Sequence, residues 1–168
     1  MFKVEGKLEM RIGVVSDTHS NGLPEQMLKD FKNVDLIIHA GDFCSLNDWE
    51  QLAKIKEVKA VWGNMDQEKI RKKFPRRQIF NLEACAIGLF HGEGPPDQLL
   101  DVVKREFQNE HVDIVIFGHS HPPLKRTVDG VLYFNPGSPN DRVFAPYPSY
   151  GMIEIKQGQI QAKIIKLK

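Results

Sequence analysis

The stretch Val14-Val15-Ser16-Asp17-Thr18-His19 decides how we interpret this chain of 168 residues. A β-branched apolar run ends there in a carboxylate and, two residues later, in an imidazole. β-Branched residues favour strands, and a continuous apolar run is typical of a strand buried on both faces. We therefore expect Asp17 and His19 at the point where the backbone leaves a buried sheet.

Apolar runs that end in polar, metal-ligating side chains recur four more times. They lead to His39-Ala40-Gly41-Asp42, Trp62-Gly63-Asn64, His91-Gly92 and Gly118-His119-Ser120-His121. The first three strands alternate with helical patterns, which indicates parallel strands covered by helices. Because functional groups collect at the carboxyl ends of parallel strands, we expect these side chains to converge.

The predicted elements form an α/β half followed by hairpins. Strands are predicted over 11–16, 34–39, 58–62, 78–82, 84–90 and 114–117, and helices from Pro24 and over about 46–55 and 97–107. Two hairpins follow, at 124–134 with an Asp-Gly turn and at 149–167. The predicted fold class is α/β, with two packed β-sheets and outer helices.

Length and composition exclude several classes of protein. The 168 residues suit one domain over 1–168, and 41% apolar with 27% charged residues exclude a disordered chain. A net charge of +1 gives no reason to expect a membrane or nucleic-acid partner. We find no signal peptide and no membrane-spanning run, so we expect a cytoplasmic protein. Whether residues 1–9 form an extension or an extra edge strand is left open.

Several polar or reactive residues have ordinary structural interpretations. Cys44 and Cys85 are isolated in or after apolar runs, so we expect small buried hydrophobes in a reducing compartment. His39 is expected to be buried or to support a ligand, without being a ligand itself. The basic run 69–77 is interpreted first as a solvated helix and loop, and alternatively as an electropositive rim for phosphorylated substrates.

The candidate ligands indicate a catalytic metal site. They comprise two carboxylates, one amide and four imidazoles: Asp17, Asp42, Asn64, His19, His91, His119 and His121. Oxygen and nitrogen donors without thiolates suit Mn²⁺, Fe²⁺, Co²⁺, Ni²⁺ or Zn²⁺ in an open site. Seven donors are too many for one tetrahedral ion and fit two ions that share a carboxylate. Two ions about 3.5–4 Å apart stabilise the attacking and leaving oxygens of a displacement at phosphorus.

These motifs, in this order, resemble the calcineurin-like metallophosphoesterase superfamily. Asp-x-His, Gly-Asn and Gly-His-x-His, with the Asn-Pro-Gly-Ser loop at 135–138, are similar to its small single-domain phosphodiesterase branch. That branch includes a retromer-subunit relative that serves as a protein-interaction scaffold. The resemblance spans about Met10 to the C-terminus. It implies a β-sandwich flanked by α-helices, with the metals at the strand ends.

The resemblance also implies a role for each ligand. It assigns one ion to Asp17, His19 and His121, and the other to Asn64, His91 and His119, with Asp42 as the bridge. A metal-bridging water would attack phosphorus, which gives Asp42 and Asn64 catalytic roles, and Asn64 would also bind the phosphate. We expect two divalent ions, Mn²⁺ first, with Ni²⁺, Fe²⁺, Co²⁺ or Zn²⁺ as alternatives. The loop after 135–139 is expected to bring substrate contacts from Ser138, Asn140 and Arg142.

Position 65 departs from the pattern of the family. Many phosphatases in it have a histidine there that is thought to protonate the leaving group, whereas this chain has Met65. A thioether donates no proton, and general acid catalysis is worth about 10²–10⁴-fold. We therefore expect slow turnover and a preference for activated or aryl diesters over alkyl monoesters. Asp66 is expected to organise this loop or a ligand histidine.

Three functions compete at this point. The leading hypothesis is a two-metal phosphodiesterase acting on a small phosphorylated or nucleotide substrate, because all seven ligands are present. The first alternative is a scaffold of the retromer-subunit type with a weak or vestigial site. The second, a nuclease that uses the basic run, is disfavoured by the near-neutral net charge. The oligomeric state, a homo-oligomer included, is left open.

Overall fold

A computed structural model describes residues 9–168 of the chain. The interpretation of residues 1–9 as an extension or an edge strand therefore lies outside the described residues, except that Glu9 begins the first strand. In the described part of the chain, no helix is long and apolar enough to cross a membrane.

Residues 9–168 contain two five-stranded sheets. The first sheet has the order β10-β9-β1-β2-β3 and is built from β1 (Glu9–Val15), β2 (Leu36–His39), β3 (Val58–Ala60), β9 (Ser149–Lys156) and β10 (Gln159–Lys166). The second has the order β4-β5-β6-β8-β7 and is built from β4 (Arg77–Leu82), β5 (Cys85–Phe90), β6 (Ile114–Ile116), β7 (Leu124–Val128) and β8 (Val131–Asn135).

Short helices connect the strands. They are α1 (Glu25–Phe31), α2 (Leu46–Ala53), α3 (Glu68–Lys73) and α4 (Leu99–Glu106), the last preceded by a 3₁₀ turn at Pro96–Gln98. The helix predicted over 97–107 therefore begins as a 3₁₀ turn. The basic run includes most of α3, in agreement with a helix and loop face.

The parallel strands of the first sheet end at the same level. Val15 at the end of β1 pairs with His39 at the end of β2, and His39 pairs with Ala60 at the end of β3. In the second sheet β5, β6 and β8 are also parallel, while β4 and β7 are antiparallel edge strands. The loops that follow β1, β2 and β3 therefore leave the sheet side by side.

Successive side chains of β1 point to opposite faces of the sheet, so the strand packs against the second sheet on one face and against a helix on the other. Val14 is fully buried in the cluster between the sheets, together with Ile38 and Ile87. Val15 points the other way, into a second cluster with Phe31 of α1. Full burial of such a side chain contributes about 1.5–3 kcal/mol, so both faces of the strand stabilise the fold.

The predicted architecture, two packed sheets flanked by helices, is confirmed. The division of the strands between the sheets differs from a simple α/β half followed by hairpins. The β9–β10 hairpin returns to pair antiparallel with β1, while the β7–β8 hairpin extends the second sheet. The central position of β1 results from this return, because β1 now has a strand on each side.

Candidate metal centre

The loops that follow five strands bring all seven predicted ligands into one place. β1, β2 and β3 of the first sheet lead to Asp17, His19, Asp42 and Asn64, and β5 and β6 of the second lead to His91, His119 and His121. The site therefore lies where the carboxyl ends of both sheets meet, as parallel sheets favour.

Sharp backbone turns direct these side chains inward. Positive φ angles occur at five of the ligands, between 50° and 73°: Asp17, His19, Asp42, His119 and His121. Non-glycine residues rarely adopt this conformation, and such strained positions cluster at functional sites. The turns let two side chains from one short loop, such as His119 and His121, point into the same space.

Two glycines allow the backbone to pass against the carboxylates. A Cβ on Gly63 would lie 2.1 Å from Asp42 Oδ1, and one on Gly118 would lie 2.0 Å from Ser16 Oγ and 2.6 Å from Asp17 Oδ2. Atoms this close overlap, so a side chain at either position would displace a ligand. This explains why glycine precedes Asn64 and His119 in the two motifs.

Backbone carbonyls orient His91 and His119. His91 Nδ1 donates to Ala40 O at 2.7 Å, and His119 Nε2 donates to Gly94 O at 2.8 Å. A carbonyl oxygen only accepts, so these outer nitrogens carry the protons. In the neutral rings the inner nitrogens present lone pairs, and both approach Asn64 Oδ1, at 3.1 and 3.0 Å.

His19 and His121 form a second pair. Their Nε2 atoms lie 3.2 Å apart, which brings the inner nitrogens of two rings together. The outer nitrogen of His121 bonds the Asp141 carboxylate, and that of His19 lies 3.3 Å from Cys44 Sγ. Partners on the outer nitrogen fix a ligand histidine's tautomer and ring orientation.

Asp17 lies at the centre of these histidines. Its Oδ2 accepts hydrogen bonds from Ser16 Oγ at 2.7 Å and from the His119 N–H at 3.0 Å. Its Oδ1 is buried and has no hydrogen-bond partner among residues 9–168. This oxygen lies 3.4, 3.7 and 3.8 Å from the Nε2 atoms of His121, His19 and His91. A buried oxygen of this kind fits a metal ligand.

Asp42 lies between the two histidine pairs. Its Oδ2 is 3.2 Å from His91 Nε2 and 3.8 Å from His19 Nε2, while its Oδ1 accepts the Met65 N–H at 2.8 Å. One carboxylate oxygen thus faces a histidine from each half of the site. This position suits the bridging role expected from the family resemblance, which stays a prediction.

The carboxylates and histidines of the site shift one another's pKa values. The carboxylates of Asp17 and Asp42 raise the pKa of His91 to about 9, although burial acts to lower it. Its closeness to the Asp17 carboxylate, above all, raises the pKa of His121 to about 9. The histidines in turn hold the pKa of Asp17 well below its usual range, against the opposing effect of its burial. The converging lone pairs thus need protons or cations among them.

The donor set fits divalent ions. Ligand atoms lie within 4.8 Å of one another in two groups, Asp17 with His19 and His121, and Asp17 with Asp42 and His91. Nitrogen and oxygen donors without a thiolate suit an open catalytic site. Cations would replace the protons of the histidines, since metal ligands bind in the deprotonated form.

One carboxylate that contacts a candidate ligand, Asp141, was missed by sequence reasoning. Asp141 lies in a loop without a recognisable motif, and only its closeness to Ser138 along the chain hinted at the site. Burial acts to raise the pKa of Asp141, but hydrogen bonds from the Val143 N–H and from His121 lower it overall. A carboxylate that remains ionised is a strong acceptor for the outer nitrogen of His121.

The prediction for Cys44 was wrong, because this thiol is partly exposed beside His19 instead of being a buried hydrophobe. Burial and the neighbouring carboxylates, first that of Asp42, raise its pKa to about 11, so the thiol is neutral. Cys85 is buried, as predicted. Both cysteines are free.

The three predicted substrate contacts line a cavity of about 380 Å³ beside His19 and His121. Ser138 Oγ donates to Asp17 O at 2.8 Å, and Asn140 Nδ2 donates to Thr18 O at 2.9 Å. Arg142 donates to the carbonyl of the last residue, Lys168, at 3.0 Å. In this arrangement Ser138 and Asn140 fasten the loop after β8 to the loop after β1. Contact of the three residues with substrate stays a prediction.

Asp66 organises the loops around the ligands. Its carboxylate accepts the backbone N–H groups of Asp42 at 2.9 Å, Cys44 at 2.8 Å and Gly63 at 2.8 Å. Of the two expected roles, the structure shows loop organisation. Burial raises the pKa of Asp66, while the bonds from Gly63 and Cys44 oppose that shift.

Arg71 of the basic run also holds this loop. Its guanidinium donates to Asp66 O at 2.8 Å and to Asn64 O at 3.1 Å, and it lies over the Trp62 ring at 4.5 Å. This arginine supports the loop that carries Asn64, in addition to the solvated role expected for the run.

His39 is buried, as predicted, and its ring nitrogens bond groups other than the candidate ligands. Its ring stacks on Phe43 with centroids 3.5 Å apart. The Gly41 N–H donates to Nδ1 at 3.1 Å, so the proton lies on Nε2, which is 3.2 Å from Thr18 Oγ1. Burial, above all, lowers the pKa of His39 to about 3. His39 therefore stays neutral in the folded protein.

We predict that Asp66→Ala lowers the free energy of unfolding by about 3 kcal/mol, because three N–H groups lose their acceptor and two of these bonds are buried. Metal affinity should fall about 10- to 100-fold, since the loops that carry Asp42 and Asn64 lose their support. Urea unfolding and titration calorimetry with Mn²⁺ measure the two effects. Glu68→Ala, which removes an exposed carboxylate paired with Lys72 in α3, is the matched control. Equal effects of both substitutions would contradict the role of Asp66.

We predict that His39 makes folding sensitive to acid. The unfolded chain binds a proton at His39 below about pH 6.5 and the folded chain does not, so stability falls as pH decreases toward 3. At pH 5 this loss amounts to about 2 kcal/mol. His39→Asn should reduce the difference between the unfolding free energies at pH 7 and pH 5 by this amount in urea titrations. An unchanged difference would show that His39 is protonated in the folded state.

Comparison with known proteins identifies the family. Residues 10–158 match the model of the calcineurin-like phosphoesterase superfamily domain. The chain is 34% identical over 161 residues to a probable metallophosphoesterase of Methanothermobacter thermautotrophicus, covering 94% of this chain and 92% of that protein. It is 30% identical over 143 residues to a phosphodiesterase of Methanocaldococcus jannaschii, covering 76% of this chain and 83% of that protein.

A solved structure shares the fold at lower sequence identity. The crystal structure of a Vps29 single mutant from Entamoeba histolytica has a TM-score of 0.73 at 22% identity, and the match covers 95% of this chain and 100% of that chain. At this identity the likeness concerns the fold alone. The match to the family model and the identity to the archaeal metallophosphoesterase show the family as well as the fold. The chain belongs to the calcineurin-like phosphoesterase superfamily.

Proposed function

We propose that this protein is a two-metal phosphodiesterase that hydrolyses a small phosphorylated or nucleotide substrate. The observation that carries the proposal is the convergence of lone-pair donors from both sheets on one partly open site. Each of the four ligand histidines has a partner on its outer nitrogen and directs its inner nitrogen to the centre. Partners of this kind orient histidines that bind metal ions, and here they leave the inner nitrogens of four rings facing one centre.

Two divalent ions, when bound, supply Lewis-acid stabilisation of charge on phosphoryl oxygens and lower the pKa of water. In this proposal Asp17, His19 and His121 hold one ion, and Asn64, His91 and His119 hold the other. Asp42 faces both halves and holds them together. We take Mn²⁺ as the first candidate because oxygen and imidazole donors without thiolates suit it.

The protein's own residues contribute charge and orientation. Four neutral imidazoles and two carboxylates balance only part of the charge of two dications, so the loaded site attracts an anionic phosphate. Asn64 is exposed, and its amide is held at the site through the loop that Asp66 and Arg71 fix. A fixed amide at this point can orient a phosphoryl oxygen without further reorganisation.

The preference for aryl esters is supported by position 65. Met65 is 57% exposed, and its N–H is bonded to Asp42 Oδ1, so its backbone organises the ligand while its side chain offers no proton. A leaving group must then depart with little help from an acid, which favours aryl esters over alkyl esters. The assignment as a phosphodiesterase is supported by the similarity to an archaeal phosphodiesterase.

We predict that metal-loaded protein hydrolyses aryl phosphodiesters, and that Asp42→Ala and His119→Ala each lower kcat/KM at least about 10³-fold, because each removes an ion ligand. Initial rates on aryl monoesters and diesters, with Mn²⁺ content measured in parallel, test this. His111→Ala, at a histidine whose side chain is 88% exposed, and Asp97→Ala, at an exposed carboxylate, are the controls. Loaded wild-type protein that hydrolyses none of these esters while binding a protein partner would support the scaffold alternative.

We predict that Met65→His makes hydrolysis less dependent on the leaving group. A proton donor should raise kcat/KM for alkyl or weakly activated esters by at least about 10-fold, with a much smaller change for p-nitrophenyl esters. The slope of log kcat/KM against leaving-group pKa measures this. Met65→Leu, an apolar residue without a donor, should keep the steep wild-type slope. Identical slopes for the histidine and leucine variants would refute the role assigned to position 65.

A further inference from the structure

We propose that Val143 and Phe144 form an apolar platform beside the metal centre that binds an aromatic ester group of the substrate, such as an aryl ring or a nucleobase. This inference deepens the proposed function and rests on it for the identity of the substrate as a phosphoester. It concerns the substrate group next to phosphorus and not the chemistry at phosphorus.

The exposure of these side chains is unusual. Val143 is 82% exposed and Phe144 is 75% exposed. Within residues 9–168, the other exposed large hydrophobic residues are Met65 at 57% and Ile79 at 37%. Single exposed apolar residues are common, but here two consecutive ones lie on a loop of the site and a third, Met65, follows a ligand. Clustered apolar exposure at a polar site indicates a binding surface.

The platform adjoins a ligand directly. The cavity of about 380 Å³ that contains Asp17, His19 and His121 on one side is lined by Val143 and Phe144 on the other. The Phe144 and His121 rings have centroids 6.3 Å apart at an interplanar angle of 72°. A group attached to a phosphate at the metal centre and projecting past His121 therefore meets an apolar surface.

Asp141 fixes the position of the platform relative to His121. Its Oδ1 accepts the N–H groups of Val143 at 2.7 Å and Phe144 at 3.0 Å, and its Oδ2 bonds His121 Nδ1. The same carboxylate thus fixes both the ligand ring and the backbone of the platform. Binding loses less conformational entropy when the receiving surface is already ordered.

The chemistry of the cavity favours an aromatic occupant. Ser138 and Asn140 donate to backbone carbonyls, and Asp141 bonds His121 and backbone N–H groups. Arg142, which also lines the cavity, donates to the Lys168 carbonyl. Phe144 presents an open ring edge or face, and aromatic rings pack well on such surfaces. An aryl or nucleobase group gains from stacking there, whereas a methyl group covers little of the platform.

We test the platform by titrating Mn²⁺-loaded protein with phenylphosphonate and with methylphosphonate in a calorimeter. The two probes share the group that binds the metals and differ only in the substituent. Wild-type protein should bind phenylphosphonate about 10-fold more tightly, because stacking on one ring accounts for a factor of this size. Phe144→Ala should abolish most of this preference without changing the affinity for methylphosphonate, and Phe144→Leu should keep part of it.

Ile79→Ala is the matched control, since it removes an exposed apolar side chain of β4 in the second sheet, outside the residues of the site. It should leave the preference intact. Equal affinities for the two probes in wild type, no binding of either probe, or an unchanged preference in Phe144→Ala would each overturn the platform. So would sedimentation showing that Phe144→Ala only dissociates a dimer, because the pair would then contact a second copy of the chain.

The outcome for the platform is separate from that for the proposed function. Aryl ester hydrolysis without a phenyl preference would retain the function and reject the platform. A phenyl preference that Phe144→Ala removes, in protein that hydrolyses no ester, would retain the platform as a binding surface and reject the enzyme.

Discussion

The donor atoms at the centre of this protein repel one another unless protons or cations lie among them. Asp17 Oδ1 is buried without a hydrogen-bond partner in the described part of the chain, and the inner nitrogens of His19 and His121 are 3.2 Å apart. Tertiary structure must hold these groups together against their mutual repulsion and the cost of removing them from water. The level ends of β1, β2 and β3 and the packing of the two sheets provide the rigid frame.

Two carboxylates outside the ligand set stabilise this arrangement. Asp66 gathers three backbone N–H groups from the loops after β2 and β3, and Asp141 connects His121 to the loop that follows β8. Neither of them points an atom at the centre as a ligand does. Their effect is geometric, because each fixes loops that contain the ligands or border on them. The geometry of the centre therefore depends on residues that are not themselves among the candidate ligands.

The site combines a full set of candidate metal ligands with apolar side chains at its edge. All seven candidate ligands converge, whereas the position that holds a histidine in many phosphatases of the family is Met65 here. On the side of His121, Val143 and Phe144 form an exposed apolar surface that lines the cavity. Strong charge stabilisation at phosphorus, combined with weak assistance to the leaving group, suits esters whose leaving groups are already good. The apolar surface suits the aromatic substituents that such esters often contain.

The sequence by itself determined most of the strands and the fold class, and it predicted seven candidate ligands that the structure brings together, because each of them follows an apolar run and the motifs occur in a recognisable order. It could not reveal Asp141, which has no motif, or the contact of Cys44 with His19, because these partners are 20 and 25 residues apart along the chain. Only the tertiary structure decided which strands share a sheet, since the β9–β10 hairpin pairs with β1 across more than a hundred residues. Local patterns record which residues are buried and where strands end, whereas pairing between distant strands and between loops depends on how the two sheets pack.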